Sequence, residues 1–244
     1  MAGTLETLFV LAVGLVAGTV SGIVGTGASI ILIPILVAQY GPQQAVPIMA
    51  VASLLGNAAK VVAWWRETDW KATAVYALTG IPAAALGART LLALPAQIVD
   101  ASLGVFFILM IPGRRWLASR DLKLGLWHLA IVGAAIGFLT GIVASTGPLN
   151  VAAISAYGLV KGAFIATEAA TSIFVFLSKS VTFRASGALP MEAIVNGLIV
   201  GASLMVGAFV AKRFVLGMRP ETFRLLIDGV MLIAGLALLW MAFR

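Results

Sequence analysis

The chain has 244 residues, of which 61% are hydrophobic and 10% charged, with a formal net charge of +7, one histidine and no cysteine. A soluble domain has an apolar share nearer half, so the composition points to an integral membrane protein. Without cysteine there are no disulfides, thiolate nucleophiles, iron–sulfur ligands or Cys-type zinc sites, and His128 alone builds no multi-histidine metal centre; nothing calls for a cofactor or metal.

Apolar runs broken by glycine, proline and charge predict segments at 5–24, 28–38, 44–65, 71–93 and 96–111 in the first half. The second half repeats the pattern at 125–143, 147–159, 163–183, 190–211 and 221–243. Most of these runs are long enough at 1.5 Å per residue to cross a hydrocarbon core of about 30 Å. The first carries Glu6 and no Lys or Arg ahead of its apolar run, so it lacks the basic start of a signal peptide and reads as a retained helix. Its Gly14, Gly18 and Gly22 form a small-residue stripe suited to close helix packing. "GIVGTGAS", residues 22–29, then interrupts the apolar run before the short segment that holds Pro34, a residue that reads as a kink. The next segment places Asn57 three residues before Lys60, on one helical face. "PGRRWLASRDLK", residues 112–123, cuts the chain near its middle. The expected division is therefore a transmembrane repeat over 1–111, a basic cytoplasmic linker over 112–124 and a second repeat over 125–244, all within one transport domain. Beyond the linker come Gly133, Gly137 and Gly141, the break "GIVASTGPLN" at 141–150, Glu168 and Lys179.

The halves are related by more than pattern. An offset of 119 carries Gly14, Gly18 and Gly22 onto Gly133, Gly137 and Gly141, Ser53 onto Ser172, and Lys60 onto Lys179. Pro95 and Gly104-Val105 match Pro220 and Gly229-Val230 at an offset of 125. These matches predict an internal duplication. Each half crosses three times if the segments flanking its glycine break re-enter, or five times if both span. Either count is odd, so the expected fold is all-α, with two inverted-topology repeats and discontinuous helices at the Gly-rich motifs. Placing the linker in the cytoplasm puts most Lys and Arg inside and leaves Arg89, Arg184 and Arg244 outside. That orientation puts both termini outside the cytoplasmic (inner) membrane. It also makes the basicity topological and leaves no role for nucleic acid.

Non-helical backbone survives in hydrocarbon only where protein covers it or where it lines a wet cavity. A glycine break leaves the first N–H groups of the following helix unpartnered, with about half a positive charge at that end, which suits an anion. Paired breaks in inverted repeats are a recurrent transporter design. The candidate substrate-binding residues are Gly25, Thr26, Gly27 and Ser29 in the first break, and Ser145, Thr146, Gly147 and Asn150 in the second. Pro148 suits a first helical turn. Lys60 and Lys179 either neutralise the anion or snorkel to the interface, and Asn57 joins as a donor. Glu168 either accepts a coupling proton or pairs with Lys161. The tryptophans fall close to segment ends, as in an aromatic belt. No HExxH, GxSxG or His–carboxylate pair supports an enzyme.

"GLVAGTVSGIVGTGASIILIPIL" followed by "GAAIGFLTGIVASTGPLN" resembles the paired signatures of the TauE/SafE family of sulfite and organosulfonate exporters. Length, duplication and the mid-chain basic loop extend the resemblance over essentially the whole chain. The family's usual first motif, Gly-x-Gly-Gly-Gly, reads here Gly25-Thr26-Gly27-Ala28-Ser29 with Pro34 retained, and its second is reduced to Ser145-Thr146-Gly147-Pro148. The resemblance implies export of a small anion such as sulfite, sulfoacetate or a related organic acid. An importer or an anion channel of the same fold is the alternative. The expected partners are that anion, the lipid bilayer and a second copy of the chain in a homodimer.

Overall fold

The computed structural model describes residues 4–24, 27–118, 123–143 and 146–214, together with Leu232, Leu236, Leu239 and Trp240. The described residues form helices and no strands. In the first half these are α1 (Thr4–Val24), α2 (Ala28–Tyr40), α3 (Pro42–Ala63), α4 (Trp70–Ala93) and α5 (Ala96–Ala118), with a 3-10 turn at Trp65–Glu67. The second half gives α6 (His128–Ile142), α7 (Gly147–Ala156), α8 (Lys161–Ala185) and α9 (Met191–Phe214). The expected segment at 221–243 lies outside the described residues.

Local chemistry accounts for two of the helix boundaries in the first half. Gly41, at φ 74°, occupies a region open to glycine and turns α2 into α3, with Pro42 at the first helical position. Asp69 caps α4, its carboxylate accepting from the Ala72 N–H at 2.9 Å. The Asp69 backbone N–H also donates to Thr167 Oγ1 at 2.9 Å, and the Tyr157 hydroxyl donates to the Asp69 carboxylate at 3.4 Å, fastening the start of α4 to α7 and α8. One boundary departs from expectation: α5 continues through Pro112 to Ala118, into the stretch expected to be linker. Pro112 leaves only the Ile108 carbonyl without a helical donor, a loss that membrane helices tolerate.

Among the described residues, four helical stretches are long and apolar enough to cross a membrane: Gln43–Ala63, Trp70–Ala93, Lys161–Ala185 and Met191–Ala211. Leu8–Ile23, Ala28–Tyr40 and His128–Ile142 are shorter apolar helices. α3 and α8 pack on each other; α1 and α3 pack on α9, while α6 and α8 pack on α4. Leu32, Leu36, Ile48, Met49 and Leu204 anchor the largest apolar cluster, between α2, α3 and α9.

Both glycine stripes are close-approach surfaces. A Cβ on Gly137 would sit 2.6 Å from the Gly80 carbonyl oxygen, and one on Gly22 would sit 2.6 Å from the Ala211 Cβ. The partner helices contribute glycines of their own, Gly80 and Gly87 on α4 and Gly207 on α9. Gly113 on α5 is the opposite case, with nothing within 4 Å of its Cβ direction. Gly137→Ala should therefore destabilise the detergent-solubilised protein by about 1–3 kcal/mol through overpacking against backbone. Gly113→Ala should leave stability unchanged or raise it by about 0.5–1 kcal/mol. Thermal unfolding of the two variants side by side checks both.

Candidate functional site

A polar cavity of about 50 Å³ lies where the two halves meet. A volume of about 10–15 Å³ on this measure holds one water, so the cavity has room for several waters or a small polar group. Gly27 and Ser29 reach it from the start of α2, and Ser53, Asn57 and Lys60 line it from α3. From the second half come Thr146, Gly147 and Asn150 at the start of α7, with Glu168 and Ser172 on α8. The spacings on α3 and α8 follow the helical repeat, so each set shares one face.

The start of α2 depends on glycine. Gly27 has φ 118°, which residues with a Cβ rarely adopt, and no side chain caps the helix there. The first N–H groups of α2 consequently have no intrahelical acceptor, and Ser29 is buried beside them. Thr146 occupies the corresponding place on α7, also without a side-chain cap. Its hydroxyl is hydrogen-bonded to that of Thr140, which itself donates to the Ile136 carbonyl at 2.6 Å. Thr146 is therefore the donor of the pair.

A network joins α3, α7 and α8. Lys60 Nζ lies 3.3 Å from Glu168 Oε2, with both side chains at least nine-tenths buried. Glu168 Oε1 accepts from Asn150 Nδ2 at 3.2 Å and from Ser172 Oγ at 3.1 Å. Asn150 Oδ1 is buried with no hydrogen-bond partner. Glu168 thus pairs with Lys60, and Lys161, the partner weighed in the sequence, is exposed at the head of α8.

Lys179 is placed differently from Lys60, its counterpart at the offset of 119. It is fully buried but does not line the cavity; its ammonium donates to the carbonyls of Thr140 at 2.6 Å and Val143 at 2.8 Å. The rings of Phe176 and Phe183 lie 5.9 and 5.8 Å away. A cation at the last carbonyls of a helix satisfies them and complements the helix dipole, so Lys179 stabilises the end of α6 just before the second break. Neither lysine snorkels, because both are buried within the protein. Gly25, Thr26 and Ser145 lie outside the described residues.

Sequence reasoning missed several lining residues: Ser21, Tyr76, Thr140 and, as site residues, Ser53 and Ser172. A signal was present in the sequence offset: 119 residues relate Ser21 to Thr140, Gly27 to Thr146 and Ser53 to Ser172, all of which line the cavity.

The network sets the cost of substitution. Lys60→Met should strand the Glu168 carboxylate and lower stability by about 3–5 kcal/mol, and adding Glu168→Gln to the same chain should recover most of that loss. Lys179→Met should leave two buried carbonyls unpaired, at about 1–3 kcal/mol each. Thermal unfolding of the single and double variants measures these effects.

The family described as sulfite exporter TauE/SafE matches the chain over residues 10–238. A Bacillus subtilis (strain 168) protein described as "Probable membrane transporter protein YjnA" is 22% identical over 255 residues, covering 94% of this chain and 98% of that protein. No solved structure matches the chain significantly. With its apolar helices and polar interior, the chain is a multi-pass membrane protein, and it belongs to the sulfite exporter TauE/SafE family of membrane transporters.

Proposed function

We propose that the chain is a secondary transporter that carries a small anion, of the sulfite or organosulfonate class, out across the cytoplasmic membrane by alternating access. The observation that carries this reading is the convergence of the starts of α2 and α7 on one buried polar cavity beside the Lys60 ammonium. Helix N-termini favour anions through their free N–H groups and dipole. Ser29 and the first N–H groups of α2 supply short-range donors on one side, while on the other Thr146 and Gly147 open α7 onto the cavity and Asn150 holds the Glu168 carboxylate. Asn57 adds a donor from the face that carries Lys60. Sulfite and sulfonate oxygens are compact acceptors suited to such a ring.

Packing supports the inverted-repeat part of the proposal. If α1, α2, α3 and α4 correspond to α6, α7, α8 and α9, the contact of α1 with α9 exchanges with that of α6 with α4. The contact of α3 with α9 exchanges in the same way with that of α8 with α4, and α3 on α8 maps onto itself. Repeats related in this way can rock about a fixed central site.

Charge supports the orientation. Leu124 N–H donates to the Ala156 carbonyl at 2.9 Å, and Glu67 lies against Gly162, which gathers the α3–α4, α5–α6 and α7–α8 connections at one end. Exposed Arg66, Lys71, Lys123 and Lys161 sit on these connections, as expected of the cytoplasmic face. A membrane potential negative inside favours outward movement of an uncompensated anion by about 2.3 kcal/mol per charge per 100 mV.

A thermal-shift screen of the purified protein with sulfite, sulfoacetate, methanesulfonate, sulfate and acetate tests the reading. At 100 times its dissociation constant, a bound anion adds about 2.7 kcal/mol of stability. At least one of these anions should produce such a shift, and Lys60→Gln should abolish it. Absence of stabilisation by every anion would sink the proposal.

A further inference from the structure

The cavity already contains one positive and one negative group, and they are paired. Lys60 Nζ and Glu168 Oε2 are 3.3 Å apart and buried. A monoanion arriving beside Lys60 would leave this buried pair of side chains with an uncompensated negative charge. Burying such a charge is costly, and ionisable groups relieve the cost by changing protonation state.

The neighbours of Glu168 restrict which group can do so. From α3 comes Lys60, paired with the carboxylate at 3.3 Å. From α4 comes Tyr76, buried at the cavity wall, a phenol and so neutral near pH 7. The polar groups facing it from α7 and α8 itself, Asn150, Thr171 and Ser172, do not titrate, and neither does Thr140 on α6. Glu67 and Asp69 approach α8 at Gly162 and Thr167, and neither lines the cavity. Among the described residues, Glu168 is left as the group able to change charge.

We propose that loading of a monoanion is coupled to protonation of Glu168. A proton from bulk water adds to a carboxylate oxygen of Glu168, forming an O–H bond, and the Lys60 ammonium transfers its attraction to the incoming anion. The acid remains accommodated, because its other oxygen still accepts from Asn150 Nδ2 and Ser172 Oγ. When the anion departs, the proton returns to water on the same side and the ion pair re-forms. The site is then neutral in its charged side chains when empty and neutral overall when loaded, and one proton travels with each monoanion.

The device is single despite the duplication. The offset that relates Lys60 to Lys179 places Met49, fully buried and apolar, opposite Glu168. Lys179 is held by the carbonyls of α6. The inference rests on the anion-site reading above and replaces the membrane potential with the proton gradient as the force that acts on a monoanion. Coupled in this way, transport of a monoanion is electroneutral, and a proton gradient alkaline inside drives uptake. The same cycle exports when the outward anion gradient exceeds the proton gradient.

The test uses methanesulfonate, which stays ionised from pH 5.5 to 8.5, with the full chain in lipid nanodiscs. Affinity of the native protein should fall by about tenfold per pH unit once Glu168 is ionised in the empty site. Binding in weak buffer should take up about one proton per anion. Glu168→Gln, which mimics the protonated acid, should bind at pH 8.5 at least as tightly as the native protein does at pH 5.5, with no pH dependence and no proton uptake. Native binding that is independent of pH and takes up no proton overturns the coupling while leaving the anion site standing. A Glu168→Gln protein that keeps the native slope overturns it equally. If neither protein binds methanesulfonate at any pH, the coupling and the sulfonate reading fall together. Should Glu168→Gln fail to fold, proton uptake by the native protein decides alone.

Discussion

The ion pair between Lys60 on α3 and Glu168 on α8 sets the terms for everything around it. Removing a lysine and a glutamate from water costs several kcal/mol each, and their mutual attraction offsets this only with good geometry and additional hydrogen bonds. Asn150 and Ser172 supply those bonds on the carboxylate side, at 3.2 and 3.1 Å. Asn150 does so from the first turn of α7, which begins at Gly147 beside the cavity. The interruption before α7 and the buried charge pair are thus parts of one arrangement.

The glycine stripes make that arrangement possible. α1 approaches α9, and α6 approaches α4, closely enough that side chains on the stripes would strike backbone or Cβ atoms. These close contacts frame the pairing of α3 with α8, where the polar residues face one another. Lys179 adds a third element, since its ammonium satisfies carbonyls at the end of α6 that the break would otherwise leave open. One lysine of the repeat-related pair therefore supports the scaffold, and the other faces the cavity. A buried lysine finds whichever acceptor its surroundings offer: a carboxylate for Lys60, the end of a helix for Lys179.

Much of this was legible in the sequence. Hydropathy located the long helices α3, α4, α8 and α9, and the glycine breaks located the starts of α2 and α7. The offset of 119 related the two sets of lining residues even where their identities differ, as at Gly27 and Thr146. Other features were not legible, for identifiable reasons. Pro112-Gly113 with two arginines reads as a linker by composition, yet a helix can pass through a proline at the loss of one hydrogen bond. Periodicity tells which face Glu168 shares but not which residue from another helix stands opposite, so its pairing with Lys60 emerged only from tertiary structure. Lys179 looked equivalent to Lys60 because an offset of 119 aligns them, and its different role comes from the partners that surround it.

The central claim is that an anion sits between the start of α2 and the start of α7, within reach of Lys60. Crystals grown with selenite test this directly, because the selenium in this sulfite analogue scatters anomalously and the chain has no cysteine for it to oxidise. The account predicts an anomalous peak inside the cavity, flanked by Gly27 and Ser29 on one side and Thr146 and Asn150 on the other. Anomalous peaks confined to surface arginines and lysines, with the cavity holding only water, would contradict it.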